Sequence, residues 1–510
     1  MTAHWWPSIR RLLMLLVGLP IACFAEAPLA VTAQGPLQGQ LVDGIAVFRG
    51  IAFAAPPVGA LRWRAPQPVE KSNTVRVADT TGPSCMQKRG VSLENGGDPG
   101  VLNEDCLYLN VFSPPAKPGV RLPVMVWIHG GALLFGGGAL PIYDGRPLAQ
   151  RGVVVVSINY RLGALGFFAH PALDQESAQG PVNFGLLDQI AALRWVQTNI
   201  AAFGGDPAQV TIAGQSAGAQ SVLALMASPI TAGLFGAAIV ESAYGLPSHS
   251  RGKARQTGVA IATAMGYPGA AASAAELRSI PAERLAELTP NLSLGPSLIV
   301  GDQAMPLPLL AAFQQGRAHA VPLMIGSNSD DASVIEAFGV DPATLVQQMG
   351  AARILLHALY PGVSDQRQLG REVARDALFT AFARRIAALH SARAPTWRYY
   401  FSYAGMPSGT GAHHGGEVPF VLANIEQCQC LSRAVTPLDQ TVERRTTDRW
   451  ASFVRTRVPA GQIAWPQDDR RRSQALEIGD QEIPRADFMA ARLNAFIAVL
   501  NLAGRIKKDR

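Results

Sequence analysis

The stretch from Val210 to Ala227 constrains the fold more than any other part of the chain. A short apolar strand, Val210–Ala213, leads into Gly214-Gln-Ser-Ala-Gly218, and helical sequence follows from Ala217 to Ala227. A strand, a G-x-S-x-G turn and a helix in this order are typical of a sharp turn that projects its serine from the C-terminal edge of a sheet. A plain glycine-rich turn is the alternative interpretation. The strand before it and the helix after it favour Ser216 as a nucleophile.

Apolar strands and helical sequence alternate ahead of this turn. Val124–His129 and Val153–Ile158 are compact strands, while Leu186–Asn199 has apolar residues at helical spacing. Gly204-Gly-Asp-Pro207 predicts a turn. Near-continuous apolar strands suit a sheet that is covered on both faces, as parallel sheets are. The sequence therefore predicts an α/β fold with a mostly parallel central sheet flanked by helices.

The segment from about 244 to 402 has a different composition. It is rich in Ala, Leu and Arg at helical spacing, and prolines interrupt it. We interpret it as large helical insertions that cover one end of the sheet, with one strand at Pro322–Ile325. Because no linker or repeat marks a boundary, residues 26–510 are predicted to form a single domain with these insertions.

A second glycine pair lies ahead of Ser216 in the chain. His129-Gly-Gly-Ala132 ends the strand that begins at Val124, at the place where folds with this serine turn carry their other oxyanion donors. Backbone N–H groups held toward a developing oxyanion stabilise it, each by about 3 kcal/mol. We predict the N–H groups of Gly131, Ala132 and Ala217 as donors, and we interpret His129 as a structural member of the loop rather than a base.

A serine nucleophile needs a general base and a group that orients this base. The chain order in this type of site is serine, acid, histidine. His414 lies in a glycine-flanked loop near the C-terminus and is the predicted base, with the adjacent His413 as the alternative. Asp331 follows a predicted strand and is the predicted acid, with Asp330 as an alternative of nearly equal weight. The residues alone leave both choices open.

The N-terminus predicts export. Two arginines precede the short apolar run Leu12–Ala22, and small residues follow it. This pattern predicts a secretory signal peptide at residues 1–25, cleaved after Ala25, and a periplasmic or secreted protein. A lipoprotein anchored at Cys23 is the less favoured alternative because Pro20 fits a lipoprotein signal poorly. No later segment is long and apolar enough to predict a transmembrane helix.

Four cysteines follow the predicted signal peptide, and an oxidising compartment permits them to pair. A bridge between Cys85 and Cys106 would close a loop of about 22 residues and stabilise the fold by roughly 3 kcal/mol. Cys428 and Cys430 form either a tight local bridge or two thiols, and the sequence leaves this open. No further ligands at suitable spacing accompany them, so no metal site is predicted.

The charge pattern narrows the range of partners. The formal net charge is +7, but the positive residues are scattered and form no basic stripe with interleaved aromatic residues. We therefore predict no nucleic-acid binding and expect a small-molecule substrate. Serine chemistry of the kind described above needs no cofactor, and the sequence carries no indication of the oligomeric state.

Further blocks of sequence carry a family resemblance. Together with the turn at Ser216, these blocks, in this order, resemble the type-B carboxylesterase family, which includes cholinesterases and bacterial para-nitrobenzyl esterases. The similarity runs from about Val47 to Phe420, with a weaker trace to Pro466. The blocks are Phe48-Arg-Gly-Ile51, Ala55-Pro-Pro-Val-Gly-Ala-Leu-Arg62, Asn103-Glu-Asp-Cys-Leu-Tyr-Leu-Asn110, Asn159-Tyr-Arg-Leu-Gly163, Asn183-Phe-Gly-Leu-Leu-Asp-Gln189 and Phe203-Gly-Gly-Asp-Pro207.

The resemblance implies the α/β-hydrolase fold and a serine carboxylesterase. The family's His-Gly-x-Glu-x-Pro-Phe pattern falls on the run from His414 to Phe420, which selects His414 as the base and puts Glu417 near the site. The family's Asp-Glu-Gly-Ser segment falls on residues 330–333 and selects Asp331 as the acid. The family's N-terminal disulfide, at the rim of the active-site gorge, falls on Cys85 and Cys106.

This chain departs from the family pattern at three places. Asp331 stands where most members have Glu, so its loop must lie closer to His414. Gln215 stands where most members have Glu, which removes a negative charge beside the catalytic residues. The loop between Cys85 and Cys106 lacks the Trp of the cholinesterases, so a cation–π platform for choline is not expected.

The sequence thus predicts a carboxylic ester hydrolase that works through Ser216, His414 and Asp331 on small-to-medium esters. The physiological ester stays open, and we consider an environmental polycarboxylate, phenolic or polymeric ester. The neutral Gln215 would suit an anionic acyl group. The alternative from another class is a non-catalytic, cholinesterase-like binding module, but such relatives typically lose the nucleophile that is present here.

Overall fold

The structure is a computed structural model of the chain. Residues 3–25 of the predicted signal peptide, including Cys23, and both Cys428 and Cys430 lie outside the residues that it describes. The described residues are 1–2, 27–89, 97–115, 119–177, 180–288, 297–350, 353–405, 411–427, 431, 433–469 and 472–506.

A central sheet of 11 strands organises the described part of the chain. We number its strands in chain order. They are β1 (Gln40–Val42), β2 (Ile45–Ala52), β3 (Tyr108–Ser113), β4 (Leu122–Ile128), β5 (Val154–Ile158), β6 (Gly205–Gln215), β7 (Ala237–Glu241), β8 (Leu323–Asn328), β9 (Thr396–Phe401), β10 (Gln474–Ile478) and β11 (Glu482–Ala486).

The strand order across the sheet is β11-β10-β9-β8-β7-β6-β4-β5-β3-β2-β1. Parallel pairing joins the neighbouring strands β5, β4, β6, β7, β8, β9 and β10. The pairs at the two edges are antiparallel. Because parallel strands place their carboxyl ends at one edge, the segments that follow β4, β6, β7 and β8 meet there.

Helices cover the sheet on both faces. The helices of ten or more residues in the described chain are α1 (Phe184–Asn199), α2 (Ala217–Ala227), α3 (Arg251–Ala264), α4 (Gln366–Arg375), α5 (Ala381–His390), α6 (Pro437–Thr456) and α7 (Ala490–Ile506). Shorter α-helices are Arg146–Ala149, Gly163–Gly166, Pro171–Glu176, Ala274–Arg278, Ala282–Ala286, Leu309–Gln314, Ser333–Ala337, Pro342–Gln348, Arg353–Leu359 and Val418–Leu422.

Smaller elements complete the fold. The strands Leu29–Thr32, Gly35–Gln38 and Arg76–Val77 form a separate three-stranded sheet. Ser84–Cys85 pairs with Leu102–Asn103, and His249–Ser250 pairs with Ile299–Val300. Single turns of 3₁₀-helix are Gly59–Leu61, Pro141–Tyr143, Ile200–Phe203, Pro229–Thr231 and Gly269–Ala271, and a π-turn is Asp376–Thr380.

The α/β-hydrolase fold with a mostly parallel central sheet is confirmed, and two local predictions are wrong. Only Gly204 of the predicted turn Gly204–Pro207 has the left-handed backbone, with φ of 78°. The next residues already belong to β6, whose pairing with β4 is irregular between Gly205 and Val210. The segment 244–402 holds a second central strand, β9, because Thr396–Phe401 combines β-branched and aromatic residues that favour strands.

The centre of the sheet is buried on both faces, which fixes the backbone around the site. Every residue of β7 and of β8 is buried, and so is every residue of α2 except Ala227. None of the described helices is long and apolar enough to cross a membrane. Among the described residues, no group of three or more His, Cys, Asp or Glu side chains is arranged to hold a metal ion.

Candidate active site

Ser216 stands in a strained turn between β6 and α2, which we call the elbow (Gly214–Gly218). Its φ and ψ are 55° and −121°, a conformation that a non-glycine residue rarely adopts. A Cβ on Gly218 would lie 2.0 Å from the carbonyl oxygen of Ile128, and one on Gly214 would lie 2.7 Å from the same atom. The two glycines are therefore required because the elbow packs directly against the end of β4.

Backbone hydrogen bonds fix the position of Ser216 in the elbow. The backbone N–H of Ser216 donates to the carbonyl oxygen of Glu241 at 2.8 Å, and the carbonyl oxygen of Ser216 accepts from the N–H of Gln220 at 2.9 Å. Ala217 is the first residue of α2, and its N–H has no partner within the helix. This end of α2 carries the positive end of the helix dipole, which favours negative charge beside Ser216.

The His-Gly-Gly loop (His129–Ala132) leaves β4 beside the elbow. A Cβ on Gly130 would lie 3.2 Å from the Cβ of Ser216, so the two segments are in close contact. Gly131 and Ala132 have positive φ angles of 102° and 54°. The Gly131 carbonyl oxygen accepts hydrogen bonds from the N–H groups of Leu134 and Phe135, which turns the peptide groups of the loop into a fixed orientation.

His129 serves as a structural part of this loop. Its Nδ1 atom lies 2.8 Å from the carbonyl oxygen of Gly130, and its own carbonyl oxygen accepts from the Tyr160 hydroxyl at 2.8 Å. The two rings stack with centroids 4.4 Å apart. Burial lowers the pKa of His129 to about 4, so the ring is neutral at physiological pH and stabilises the loop through packing and hydrogen bonds.

Asp331 and His414 are in direct contact. Nδ1 of His414 lies 2.8 Å from Oδ1 of Asp331, and the N–H of Asn328 donates to Oδ2 at 2.7 Å. The backbone N–H of His414 donates to the Ser333 hydroxyl at 2.9 Å. Asp331 is fully buried, and the His414 side chain is 9% exposed. The carboxylate therefore orients the ring and makes Nδ1 the protonated nitrogen.

The neighbours of these two residues point elsewhere. Asp330 forms an ion pair with Arg371. Burial lowers the pKa of His413, and its carbonyl oxygen accepts from the Asn328 side chain at 2.8 Å. Of the paired alternatives that the residues left open, Asp331 and His414 are joined by a side-chain hydrogen bond.

Gln215 connects the histidine with the elbow. Its Nε2 atom lies 3.2 Å from Nε2 of His414. With Nδ1–H donated to Asp331, the neutral ring has its lone pair on Nε2, so the Gln215 amide is the donor in this contact. Because Gln215 precedes Ser216 in the chain, the contact brings the free nitrogen of His414 to the elbow.

Two buried glutamates lie beneath the site. Asn328 donates a hydrogen bond from its side chain to Glu417, and the Ser242 hydroxyl lies 3.5 Å from the other carboxyl oxygen of Glu417. Burial, and then the charge of Asp331, raise the pKa of Glu417 to about 7. Burial, and then the charge of Glu417, raise the pKa of Glu241. One Oε of Glu241 accepts from the Trp450 indole N–H at 2.8 Å.

Glu241, Ser242 and Asn328 also belong to the site and were not among the predicted residues. A signal for all three was present, because each follows or ends an apolar strand at the carboxyl edge of the sheet. Glu417, which the family resemblance put near the site, contacts Ser242 and Asn328.

A cleft opens next to the His-Gly-Gly loop. Leu134 lines it, and the Leu134 N–H is bonded to Gly131. The cleft is open to solvent, and its described lining contains no Asp, Glu, Lys or Arg. Met86 and Gln87 also line it, and they follow Cys85, which is joined to Cys106 in the disulfide that the resemblance implied. Such a cleft suits an apolar group.

Comparisons with known proteins show the family to which this chain belongs. The family model described as the carboxylesterase family matches residues 26–496. The chain belongs to the carboxylesterase family. Its sequence is 36% identical over 497 residues to a fumonisin B1 esterase of Sphingopyxis macrogoltabida, covering 91% of this chain and 89% of that protein. It is 34% identical over 475 residues to a para-nitrobenzyl esterase of Bacillus subtilis strain 168, covering 89% and 95%.

Solved carboxylesterase structures have the same fold. A thermophilic para-nitrobenzyl esterase superposes with a TM-score of 0.81 at 31% identity, covering 92% of this chain and 100% of the other. A carboxylesterase of Geobacillus stearothermophilus superposes with a TM-score of 0.79 at 31% identity, covering 92% and 99%. This carboxylesterase is therefore an ester-hydrolysing enzyme, as its family and its relatives are.

Proposed function

We propose that this carboxylesterase cleaves small-to-medium esters through an acyl-enzyme formed on Ser216. The observation that carries the proposal is the contact chain from Asp331 through His414 to the elbow, with Asp331 Oδ1 and His414 Nδ1 2.8 Å apart. The elbow, the His-Gly-Gly loop and this pair meet at one edge of the sheet. Nucleophile, base and orienting acid are the three roles that acyl transfer to a serine requires.

In the first half of the reaction, His414 Nε2 accepts the hydroxyl proton of Ser216 while Oγ forms a bond to the ester carbonyl carbon. The negative charge that develops on the carbonyl oxygen is stabilised by the N–H groups of Gly131, Ala132 and Ala217. The carbon–oxygen bond to the alcohol then breaks, and the imidazolium of His414 gives its proton to the departing alkoxide. The acyl group remains on Ser216.

In the second half, water replaces the alcohol. His414 takes a proton from the water as the water oxygen attacks the acyl carbon, and the same N–H groups stabilise the oxyanion. The bond to Ser216 Oγ breaks, His414 returns the proton to Oγ, and the acid departs. Asp331 keeps the ring in the tautomer with Nδ1–H throughout, and it stabilises the imidazolium at each half-reaction.

The cleft beside Leu134 favours substrates with an apolar acyl chain. The described lining offers no Lys or Arg to a carboxylate, and burying a charge without an oppositely charged partner is costly. The polycarboxylate ester that we consider from the sequence is therefore less favoured than an ester with an apolar acyl group. Equal rates on neutral and anionic esters of one alcohol would exclude a preference in either direction.

Covalent labelling tests the role of Ser216. A fluorophosphonate probe should modify the purified enzyme at one serine, and mass spectrometry of the peptides should identify this residue as Ser216. The His414→Ala variant should react much more slowly because the hydroxyl has lost its base. A folded protein that the probe does not modify at Ser216 would favour the non-catalytic binding module instead.

We further propose that residues 1–25 direct export and that residues 26–510 form one domain with helical insertions around 244–402. The disulfide between Cys85 and Cys106 is compatible with an oxidising compartment, and the central sheet draws strands from Gln40 to Ala486. The mature N-terminus, read by mass spectrometry after expression with the leader, should be Glu26. An uncleaved chain in the cytoplasmic fraction would contradict export.

A further inference from the structure

Two arginines of α4 contact the residues that precede the proposed catalytic acid, Asp331. Arg371 extends its guanidinium to the carboxylate of Asp330, with Nε 3.1 Å from Oδ1 and Nη2 bonded to Oδ2. The next arginine on the same face, Arg375, donates from Nη1 to the carbonyl oxygen of Ser329 at 3.1 Å. Two arginines thus hold the pair of residues that immediately precedes Asp331.

The same pair of residues carries the contacts to the histidine segment. The backbone N–H of Asp330 donates to the carbonyl oxygen of Ala412 at 2.8 Å, and Asp330 and His413 form an isolated parallel bridge. The N–H of Ala412 donates to the Ser329 hydroxyl at 2.8 Å. Ser329 and Asp330 therefore join the segment that carries Asp331 to the segment that carries His414. The arginines of α4 bond to both of these joining residues.

Asp330 is buried, with 5% of its surface exposed, and the Arg371 side chain is 22% exposed. A fork of two N–H groups on a carboxylate fixes direction as well as distance. It also pairs a buried charge, and an alanine at position 371 would remove this ion-pair partner. The ion pair can therefore control the position of the backbone at Asp330, and through it the position of Asp331.

The position of the backbone at Asp331 is important because the side chain of this acid is short. Asp331 reaches His414 at 2.8 Å with one methylene less than the glutamate of most family members. A short, fully buried side chain has few rotamers with which to compensate for a displaced backbone. A misplacement of about 1 Å at a catalytic group costs on the order of 100-fold in rate.

We propose that Arg371 is a positioning residue, which holds Asp331 against His414 through its ion pair with Asp330. This inference rests on the proposed function, since it concerns the geometry of the catalytic pair. Arg371 contacts no substrate and takes no part in proton transfer. Loss of the Arg371 side chain lowers the fraction of time for which Asp331 orients the His414 imidazole.

The test compares Arg371→Ala, Arg371→Lys and Asp330→Asn in the full chain. Arg367→Ala is the control, because Arg367 lies one turn earlier on α4 and pairs with Glu336 and Asp341 at a more exposed position. Glu336 also lies 3.6 Å from Arg371, so this variant measures the effect of disturbing Glu336 while the ion pair between Arg371 and Asp330 stays in place. We expect Arg371→Ala to lower kcat on para-nitrophenyl butyrate by about 10- to 100-fold with KM changed by less than about twofold. Arg371→Lys keeps the charge without the fork and should lose less.

A second readout follows the catalytic hydrogen bond itself. The proton between His414 Nδ1 and Asp331 should give a far-downfield NMR resonance in the unmodified enzyme and in Arg367→Ala. In Arg371→Ala this resonance should broaden or move upfield. If Arg371→Ala does not fold, Arg371→Lys and Asp330→Asn carry the test, because both retain a hydrogen-bonding partner at the buried position.

A kcat in the folded variants within about twofold of the Arg367→Ala value would overturn the inference. So would a lower kcat with an unchanged downfield resonance, because the effect would then bypass the Asp331–His414 pair. Ser216→Ala, measured in parallel, separates this failure from that of the proposed function. If Ser216→Ala is inactive while Arg371→Ala is fully active, the inference fails and the proposed function stands.

Discussion

The Nε2 atom of Gln215 lies 3.2 Å from Nε2 of His414, the nitrogen that accepts the proton of Ser216 in the proposed mechanism. A carboxamide can donate to this nitrogen when the ring is neutral and can turn to present its oxygen when the ring is protonated. A glutamate, which most family members have here, can only accept. Gln215 therefore places no negative charge beside Nε2 of His414.

A Gln215→Glu variant should favour the imidazolium form of His414, because an added carboxylate stabilises an adjacent cation. We expect the acid limb of the pH profile of kcat/KM to move to higher pH. Gln215→Met, which has a similar size and no charge, is the control and should keep the limb of the unmodified enzyme. If the pH profiles of the Glu and Met variants superimpose, a charge at position 215 does not affect the protonation of His414.

The buried Glu417 should make stability depend on pH. Its pKa is raised from 4.5 to about 7, so between these values the folded state holds a proton that the unfolded chain releases. The free energy of unfolding therefore falls as the pH rises from about 4.5 to about 7, by at most about 1.4 kcal/mol per pH unit. Glu417→Gln should flatten this slope in urea titrations.

Glu70→Gln is the control for the Glu417 prediction, because it removes one carboxylate from an exposed position. Its slope between pH 4.5 and 7 should match that of the unmodified enzyme. If Glu417→Gln has the same slope as Glu70→Gln, the proton on Glu417 is not linked to folding.

Filling the cleft should shorten the preferred acyl chain. Thr257 lines the cleft, and Thr257→Trp should lower the ratio of para-nitrophenyl octanoate to acetate hydrolysis by about 10-fold, the equivalent of nearly two methylene groups. Thr263→Trp is the control, because Thr263 is exposed on the same helix, α3. In both threonines the hydroxyl donates to the carbonyl oxygen four residues earlier, so the two variants lose the same kind of hydrogen bond. Equal ratios in the two variants would place the acyl chain outside this cleft.

The local parts of the site could be predicted from the sequence because short-range physics determines them. The glycines of the elbow are forced by steric exclusion within a few residues, and α2 begins and ends at the predicted residues, Ala217 and Ala227. The apolar strands β4, β5, β6 and β8 were recognisable because parallel strands are buried on both faces. Their ends differ from the prediction by a few residues.

Other parts depend on contacts between distant segments, which the residues alone did not indicate. His413 and His414 are adjacent, and only the packing against β8 decides which ring meets Asp331. Arg371 lies 41 positions from Asp330, and no pattern connects them. The strand β9 was hidden in a helical region because its neighbours in the sheet, β8 and β10, come from distant parts of the chain.

Hydrolysis of para-nitrophenyl butyrate by the purified enzyme and by Ser216→Ala tests the central proposal most directly. The unmodified enzyme should release para-nitrophenol with a burst as Ser216 is acylated, and Ser216→Ala should fold normally but lose at least about 1,000-fold in kcat. Ser216→Ala with the rate of the unmodified enzyme would contradict the proposal, because the acyl-enzyme would then have to form on another residue or not at all.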